Sequence, residues 1–341
     1  MFSARFVHGL LSFSRAYSVS APKKGLKELV AEVRALADVS PTQAGQALKA
    51  SDMDVAKALV WLEKHRAESA VKKAAKVEGR MANEGLIGTA VLSAGAAGSR
   101  QGAVRAAMIE LNCETDFVAR NDLFAKLLND ISFTAAFLSE SAGSEAFMQP
   151  FSLDVLQGAP LLAQSNPTSE SKLTVSEAMR DLTGRVGEKI SLRRALTVVH
   201  ELPPTQRDLA LRVSARVHQS VQNPQQGRIG SLALLALKSP RLSEILASEA
   251  FAGDLDKLCQ ALGRQIIGFP TTSVKAVPGT QDEGALYDQP FAMFAGPGND
   301  QPVRTFLRNW AKERGLLEGD ERVVSGVEVL EFAKWTVGES I

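Results

Sequence analysis

The residues able to do chemistry are few and scattered. Four histidines, His8, His65, His200 and His218, show neither HxxxH nor HExxH spacing, so no metal site follows from them. Cys113 and Cys259 form no CxxC pair, and each sits among apolar neighbours as a buried free thiol would. The glycine-rich "GAAGSRQG" at 95–102 lacks a GK[ST] ending, so it offers no lysine for phosphates and no hydroxyl for Mg²⁺. It does contain GxxG, the form of an RNA-clamping loop, although a lone GxxG in a hairpin tip is ordinarily only a tip. No GxSxG nucleophile elbow occurs. These absences argue against an enzyme active site and a bound cofactor. What remains is one dense cluster, "ELNCETDFVARND", at 110–122. It passes from apolar residues through carboxylates to an aromatic, and then into a helix-like run.

Three arrangements would suit that cluster: a buried site, a helix cap and a docking tip. Asp116 stands where a strand pattern ends and a helix pattern begins. Thr115 or Asp116 there would accept a backbone hydrogen bond and favour the helix dipole. A helix is expected over roughly 116–139. At about 100° per residue, Phe117, Phe124, Leu128, Ile131 and Ala135 share one face of it. Periodicity therefore favours a core Phe117. Its first-turn position allows the opposite, a ring projecting beyond the sheet.

The elements that would position this cluster read as α+β. Residues 24–66 predict a three-helix, ubiquitin-associated-like bundle. Leu26, Leu29, Val30, Val33 and Leu36 form its first stripe, Ser40 and Pro41 open its second helix, and Ser51 or Asp52 caps its third. Residues 67–84 predict a basic, solvated helical linker carrying Lys72, Lys73, Lys76 and Arg80 without interleaved aromatics. From Gly85 the period changes to that of strands. A hairpin followed by a helix occurs twice, at 86–139 and 209–267, and "LIGTAVL" and "RIGSLAL" share an Ile-Gly step. We therefore expect two related subdomains, 85–187 and 188–341, each a small antiparallel sheet with helices. "TVSEAMRDLTGRVG" predicts a short helix, "KISLRRALTVVHEL" and "VEVLEFAKWTV" predict strands, and "VRTFLRNWAKERG" predicts an amphipathic helix closed by Gly315. Residues 140–172 and 270–303 read as loops.

Composition agrees with a soluble protein. The chain has 341 residues and a formal charge of +1, which gives no general drive toward nucleic acid. No apolar run approaches the roughly 18 residues of a membrane span. The opening "MFSARFVHGLLSFSRAYSVSAPKK" is basic, serine-rich and free of acid as far as Glu28. Phe2, Phe6, Leu10 and Phe13 recur as one helical face. Residues 1–20 thus predict a mitochondrial transit peptide, with "RAYS" offering a processing site after Tyr17 and the matrix as destination. Removing residues 1–17 takes away Arg5 and Arg15 and changes the formal charge to 1 − 2 = −1.

"NCETDFVARND", preceded by "EGLIG" and a β-like run, resembles the signature of the elongation factor Ts family. The resemblance extends over most of the chain. It includes "KAAKVEGR…NEGLIG", "RVGEKISLRRA", "RVHQS…GRIGSLALL", "LYDQPF" and the ending "VLEFAKWTVGES". It implies a nucleotide exchange factor, with no catalytic residue or cofactor of its own, that promotes GDP release from mitochondrial elongation factor Tu in a one-to-one protein complex. No direct contact with nucleic acid or membrane is implied. In the family an Asp-Phe tip enters the GTPase beside its Mg²⁺ site. Carried over, Asp116 and Phe117 form that tip and Thr115 and Val118 shape it. His218 matches a partner-contacting histidine of the second hairpin.

The chain departs from the family at several points. Gly45 and Gln46 replace paired lysines, Gln265 replaces a histidine, and Lys334-Trp335-Thr336 replaces "RFE". Segments 140–172 and 307–322 look like additions. The long coiled-coil insertion of many bacterial members is not apparent, which points to the mitochondrial branch. Two other functions stay open at this level: a GTPase-binding stabiliser without exchange activity, and a mitochondrial RNA-binding protein using the GxxG tip and lysine-rich linker.

Overall fold

The computed structural model describes residues 24–97, 103–141, 146–165, 173–203, 205–220, 223–280, 282–317 and 326–340. The expected transit peptide lies outside them, as does most of the GxxG tip. The chain divides into two compact units, 1–67 and 68–341.

The first unit contains helices α1 (Leu26–Leu36) and α2 (Pro41–Ala50) and the start of α3 (Val55–Val77). Ser40 caps α2 as expected, in a reciprocal box with Gln43. The cap of α3 differs from expectation. Asp52 and Met53 adopt left-handed conformations, with φ of 53° and 60°. It is Asp54 that accepts the hydrogen bond from Lys57 N, at 3.0 Å. Val33, Ala44, Ala47, Leu48, Ala58 and Leu62 form the small core.

The second unit begins in the later turns of α3. Ala70 and Val77 there are buried, and Lys73 Nζ donates to Gly184 O at 2.6 Å. The alanine-rich stretch is therefore docked on one side, not solvated all round. Next come strands β1 (Glu84–Ala94) and β2 (Ala103–Cys113) and helices α4 (Asp116–Ala119) and α5 (Asp122–Leu138). Strand β3 (Met148–Pro150), helices α6 (Leu153–Gly158) and α7 (Val175–Val186), and strand β4 (Ser191–Glu201) follow. Beyond them lie β5 (Leu209–His218), β6 (Gln226–Gly227), β7 (Ile229–Lys238), α8 (Leu242–Leu246), α9 (Glu249–Gly268), α10 (Val303–Glu313) and β8 (Gly326–Thr336).

Two antiparallel sheets result, in the orders β3-β4-β2-β1-β6 and β5-β7-β8. β4 and β6 thus hydrogen-bond into the first sheet although both lie beyond residue 188. Helix α5 covers the outer face of the first sheet through Phe124, Leu128, Ile131 and Ala135, which meet Ile109 and Leu111 of β2. Helices α9 and α10 cover the second sheet. Between the sheets lie Ile87, Met108, Val198, Leu211, Leu232 and Leu234. An α+β unit with two sheet-and-helix halves is what the alternating and helical patterns required.

The shared Ile-Gly step plays a different part in each half. A Cβ on Gly88 would stand 2.7 Å from Leu128 and Ser132 of the covering helix, whereas a Cβ on Gly230 would stand 2.5 Å from Ile87 of the opposite sheet. One glycine admits the helix and the other admits the neighbouring sheet. The two strands therefore present the step with opposite faces, and it does not mark an equivalent register.

The loops also differ from expectation. Segment 140–172 supplies β3 and α6, with Met148 and Leu156 buried. Segment 307–322 begins inside α10, whose Leu307, Trp310 and Ala311 are buried in the second core. The single helix expected after the second hairpin, within 209–267, is two helices, interrupted before Ser248, which caps α9.

Cys113 and Cys259 are buried free thiols. Burial is the main cause that pushes each thiol up from an ordinary 9.0 to about 12. A raised folded-state pKa contributes stability below the unfolded value and loses it as pH rises through the folded one. Stability is therefore expected to fall as pH rises from 9.0 toward about 12. Native protein at pH 8 should resist a thiol-disulfide reagent, and denatured protein should react at both cysteines.

Candidate functional site

The cluster at 110–122 sits where β2 ends. Cys113 is the last strand residue, and its thiol donates to Thr115 O at 3.1 Å. Thr115, in extended conformation, caps α4 by accepting from Val118 N at 3.4 Å. The same hydroxyl donates to Glu188 Oε1 at 2.7 Å, and Thr115 N donates to Glu188 Oε2 at 3.0 Å. Beside it, Glu114 Oε1 accepts from Lys189 N at 2.7 Å. Arg80 pairs with Glu114 at 3.3 Å, and Lys189 Nζ donates to Glu78 O at 2.7 Å.

Helix α4 is only one turn long. Arg120 ends it, and Asn121 is extended, with φ −77° and ψ 135°. Asn121 caps the next helix by accepting from Leu123 N at 2.8 Å. The single helix expected over 116–139 is thus two helices with an extended residue between them. That break resets the helical phase, so Phe117 no longer shares a face with Phe124. Phe124 is fully buried, whereas Phe117 is 82% exposed, the most exposed large apolar side chain among the described residues. Periodicity favoured burial of this ring, and the structure places it in solvent. The sequence signal that would have revealed the break is "ND" at 121–122, a cap residue followed by a first-turn acid.

The neighbours of Phe117 point inward. Val118 and Ala119 belong to the core beneath α5, so Val118 anchors the tip from below and does not offer its side chain to solvent. Asp116 pairs with Arg120 at 3.0 Å, with both side chains substantially exposed. Such a surface pair is weak and can be exchanged at little cost.

His218 ends β5 on the second sheet and is exposed. Its carbonyl accepts from Arg228 N at 3.0 Å. It belongs to a different sheet from β2, the strand that leads into Thr115–Val118. Of the substituted positions, Gln46 is exposed. Gln265 is fully buried and spans the loop after α9, donating to Gln289 Oε1 at 3.2 Å and Pro290 O at 3.1 Å and accepting from Met293 N at 3.3 Å. It is a core residue, not a surface contact. Lys334 donates to Phe269 O at 2.6 Å, and burial pulls its pKa down. Glu188 and Glu114 escaped sequence reasoning because their partners are remote in the chain.

Among the described residues no group of three or more His, Cys, Asp or Glu side chains stands ready to hold a metal ion. No helix among them is long and apolar enough to cross a membrane. The arrangement is a short helix that is capped, anchored and braced from a second turn, with one aromatic ring presented outward.

Comparison with known proteins identifies relatives along the whole chain. The family model described as "Elongation factor TS" matches residues 114–239. "Elongation factor Ts, mitochondrial 2" of Postia placenta is 70% identical over 342 aligned residues, covering 100% of both chains. "Elongation factor Ts, mitochondrial" of Laccaria bicolor is 50% identical, covering 96% of this chain and 95% of the relative. The protein of the same name from Mycosarcoma maydis is 33% identical, covering 96% of this chain and 88% of the relative. The chain belongs to the elongation factor Ts family, and to its mitochondrial type.

Proposed function

We propose that the chain drives GDP release from mitochondrial elongation factor Tu by inserting Phe117 as a wedge beside the Mg²⁺ site of the GTPase, with Asp116 next to it. Nucleotide exchange on that partner is the activity of the family to which the chain belongs, and it needs no catalytic acid, base or cofactor of the factor's own. The mechanism carries the family's Asp-Phe tip over to Asp116 and Phe117 of this chain. One observation carries it: Phe117 is 82% exposed while Val118 and Ala119 beside it are buried. An exposed anchor on a braced support loses little freedom on binding and can contribute much of an interface's energy.

The physics of release follows. A P-loop GTPase holds GDP through backbone donors, a lysine and Mg²⁺. A ring that separates the elements carrying those groups weakens their hold, and the Asp116 carboxylate adds a competing negative charge at the metal. Thr115 orients the tip and Val118 fixes it from below. His218, on the other sheet, supplies a second and weaker contact. We further infer that residues 24–66 form a ubiquitin-associated-like bundle and that 1–20 are a mitochondrial transit peptide. By the same reading 67–84 join the bundle to two core subdomains, 85–187 and 188–341, with β4 lent to the first sheet.

Linkage supplies the test. If the factor weakens GDP binding by some factor, GDP must weaken the complex by the same factor. Titration of the preformed complex with GDP, followed by light scattering, should dissociate it in proportion. A complex indifferent to GDP would instead support a stabiliser without exchange activity. His218→Ala is expected to weaken the complex by about threefold, as a peripheral contact does, with the saturating rate of GDP release unchanged. A fall in that rate would place His218 in the release step itself.

A further inference from the structure

We infer that Glu188 is the positioning residue that sets the direction of the Phe117 wedge; this inference rests on the wedge reading above. The first support is geometric. Both oxygens of Glu188 serve one residue: Oε1 accepts from the Thr115 hydroxyl at 2.7 Å and Oε2 from the Thr115 backbone N at 3.0 Å. Two bonds from one carboxylate to one residue fix both its backbone and its side-chain rotor.

The second support is the economy of the cap. Thr115 Oγ1 must keep a lone pair toward Val118 N to cap α4, at 3.4 Å. Its own proton therefore has to point elsewhere, and Glu188 takes it. A single helical turn has little stability of its own. The direction of Phe117 thus depends on two constraints, burial of Val118 and Ala119 from below and the Glu188 bonds at the start of the turn. Bonds to an ionised acceptor are the stronger kind.

The third support is how Glu188 is delivered. Helix α7 ends at Gly187, whose φ of 76° is left-handed and turns the chain sharply. Glu188 follows at once, and the brace is reciprocal. Glu188 holds Thr115 while Glu114, the residue before Thr115, holds the backbone N of Lys189, the residue after Glu188. Two turns remote in sequence are stitched crosswise at the start of the helical turn that carries Phe117. Glu188 itself never has to touch the partner.

The test uses full-length mature protein and cognate elongation factor Tu loaded with a fluorescent GDP. Release is measured against factor concentration for wild type, Glu188→Ala, Glu188→Gln, Phe117→Ala and the double variant Glu188→Ala/Phe117→Ala. Glu188→Ala should lower the saturating release rate about tenfold, with a much smaller change in the half-saturating concentration. Glu188→Gln, which keeps one acceptor oxygen for two donors, should recover only in part and stay about threefold below the wild-type plateau. In the Phe117→Ala background, Glu188→Ala should cause no further loss, because there is no ring left to aim. A wild-type plateau for Glu188→Ala beside an impaired Phe117→Ala would overturn the inference, as would full additivity of the two losses. Wild-type exchange by Phe117→Ala would remove the wedge reading itself, and this inference with it. If Glu188→Ala melts below the assay temperature, Glu188→Gln decides, and a wild-type plateau for that variant refutes the inference.

Discussion

Phe117→Ala should lose about 100-fold in the saturating rate of GDP release while folding as well as wild type. The two halves of this expectation come from the same observation. The ring is 82% exposed in the free protein, so its removal leaves no cavity and costs the fold almost nothing. In the complex the ring would pass from water into the partner. Full burial of a phenylalanine side chain is worth about 2–3 kcal/mol, and each 1.4 kcal/mol or so is a factor of ten. If that energy separates the elements of the GTPase that hold GDP, its loss appears in the release rate. Phe117→Leu, which keeps apolar bulk, should fall between the two. Thermal melting and stopped-flow release on the same samples check both halves. A destabilised Phe117→Ala would show that the ring packs in solution after all.

The second large effect concerns strand β2, close to where it leads into the tip. Glu110 is fully buried on β2. Its Oε2 accepts from Arg194 Nε at 2.6 Å and its Oε1 from Gly338 N at 2.9 Å, with Arg193 at 3.7 Å. Arg194 also donates to Thr336 O at 3.2 Å and Glu339 at 2.8 Å, and lies 4.3 Å over Trp335. This network ties the end of β8 to the first sheet. Arg194→Met would leave Glu110 buried with one backbone donor and a distant guanidinium. Breaking a buried pair from one side costs about 3–5 kcal/mol, so we expect a loss near the lower end, because Arg193 and Gly338 remain. The companion Glu110→Leu/Arg194→Met should recover most of that loss, since an apolar pair leaves no orphaned charge. Urea unfolding of the single and double variants measures both. Equal stability of Arg194→Met and wild type would show that the network contributes nothing net.

The sequence made the framework legible and left the tip ambiguous, for identifiable reasons. Strand β7 carries a nearly continuous apolar run and β5 alternates apolar with polar residues, both between turn signals, and helix α7 carries both its cap and its terminal glycine. Local chemistry of that kind is read locally. The direction of Phe117 is set just as locally, but by a break in the helix. It depends on an extended residue, Asn121, that breaks the helix and resets its phase. A count at fixed angular steps assumes a continuous helix and therefore buries the ring. The braces at the start of its helical turn depend on Glu188 and Glu114, whose partners lie in another turn, and no pattern within one segment reveals such pairs. Likewise β4 reads as a strand from its own residues, but only pairing shows that it joins the first sheet beside β2. Gln265, which stands where the family usually has a histidine, is a core amide holding a loop. The family resemblance supplied what spacing alone did not, a reason for an aromatic at a helix start to face water.

The central claim is that the chain acts on its partner's nucleotide and does not merely bind the partner. The dissociation rate of fluorescent GDP from mitochondrial elongation factor Tu, followed as wild-type factor is raised, tests it most directly. The expected rate climbs with factor concentration to a plateau well above the spontaneous rate. An unchanged rate, under conditions where the complex demonstrably forms, would contradict the account.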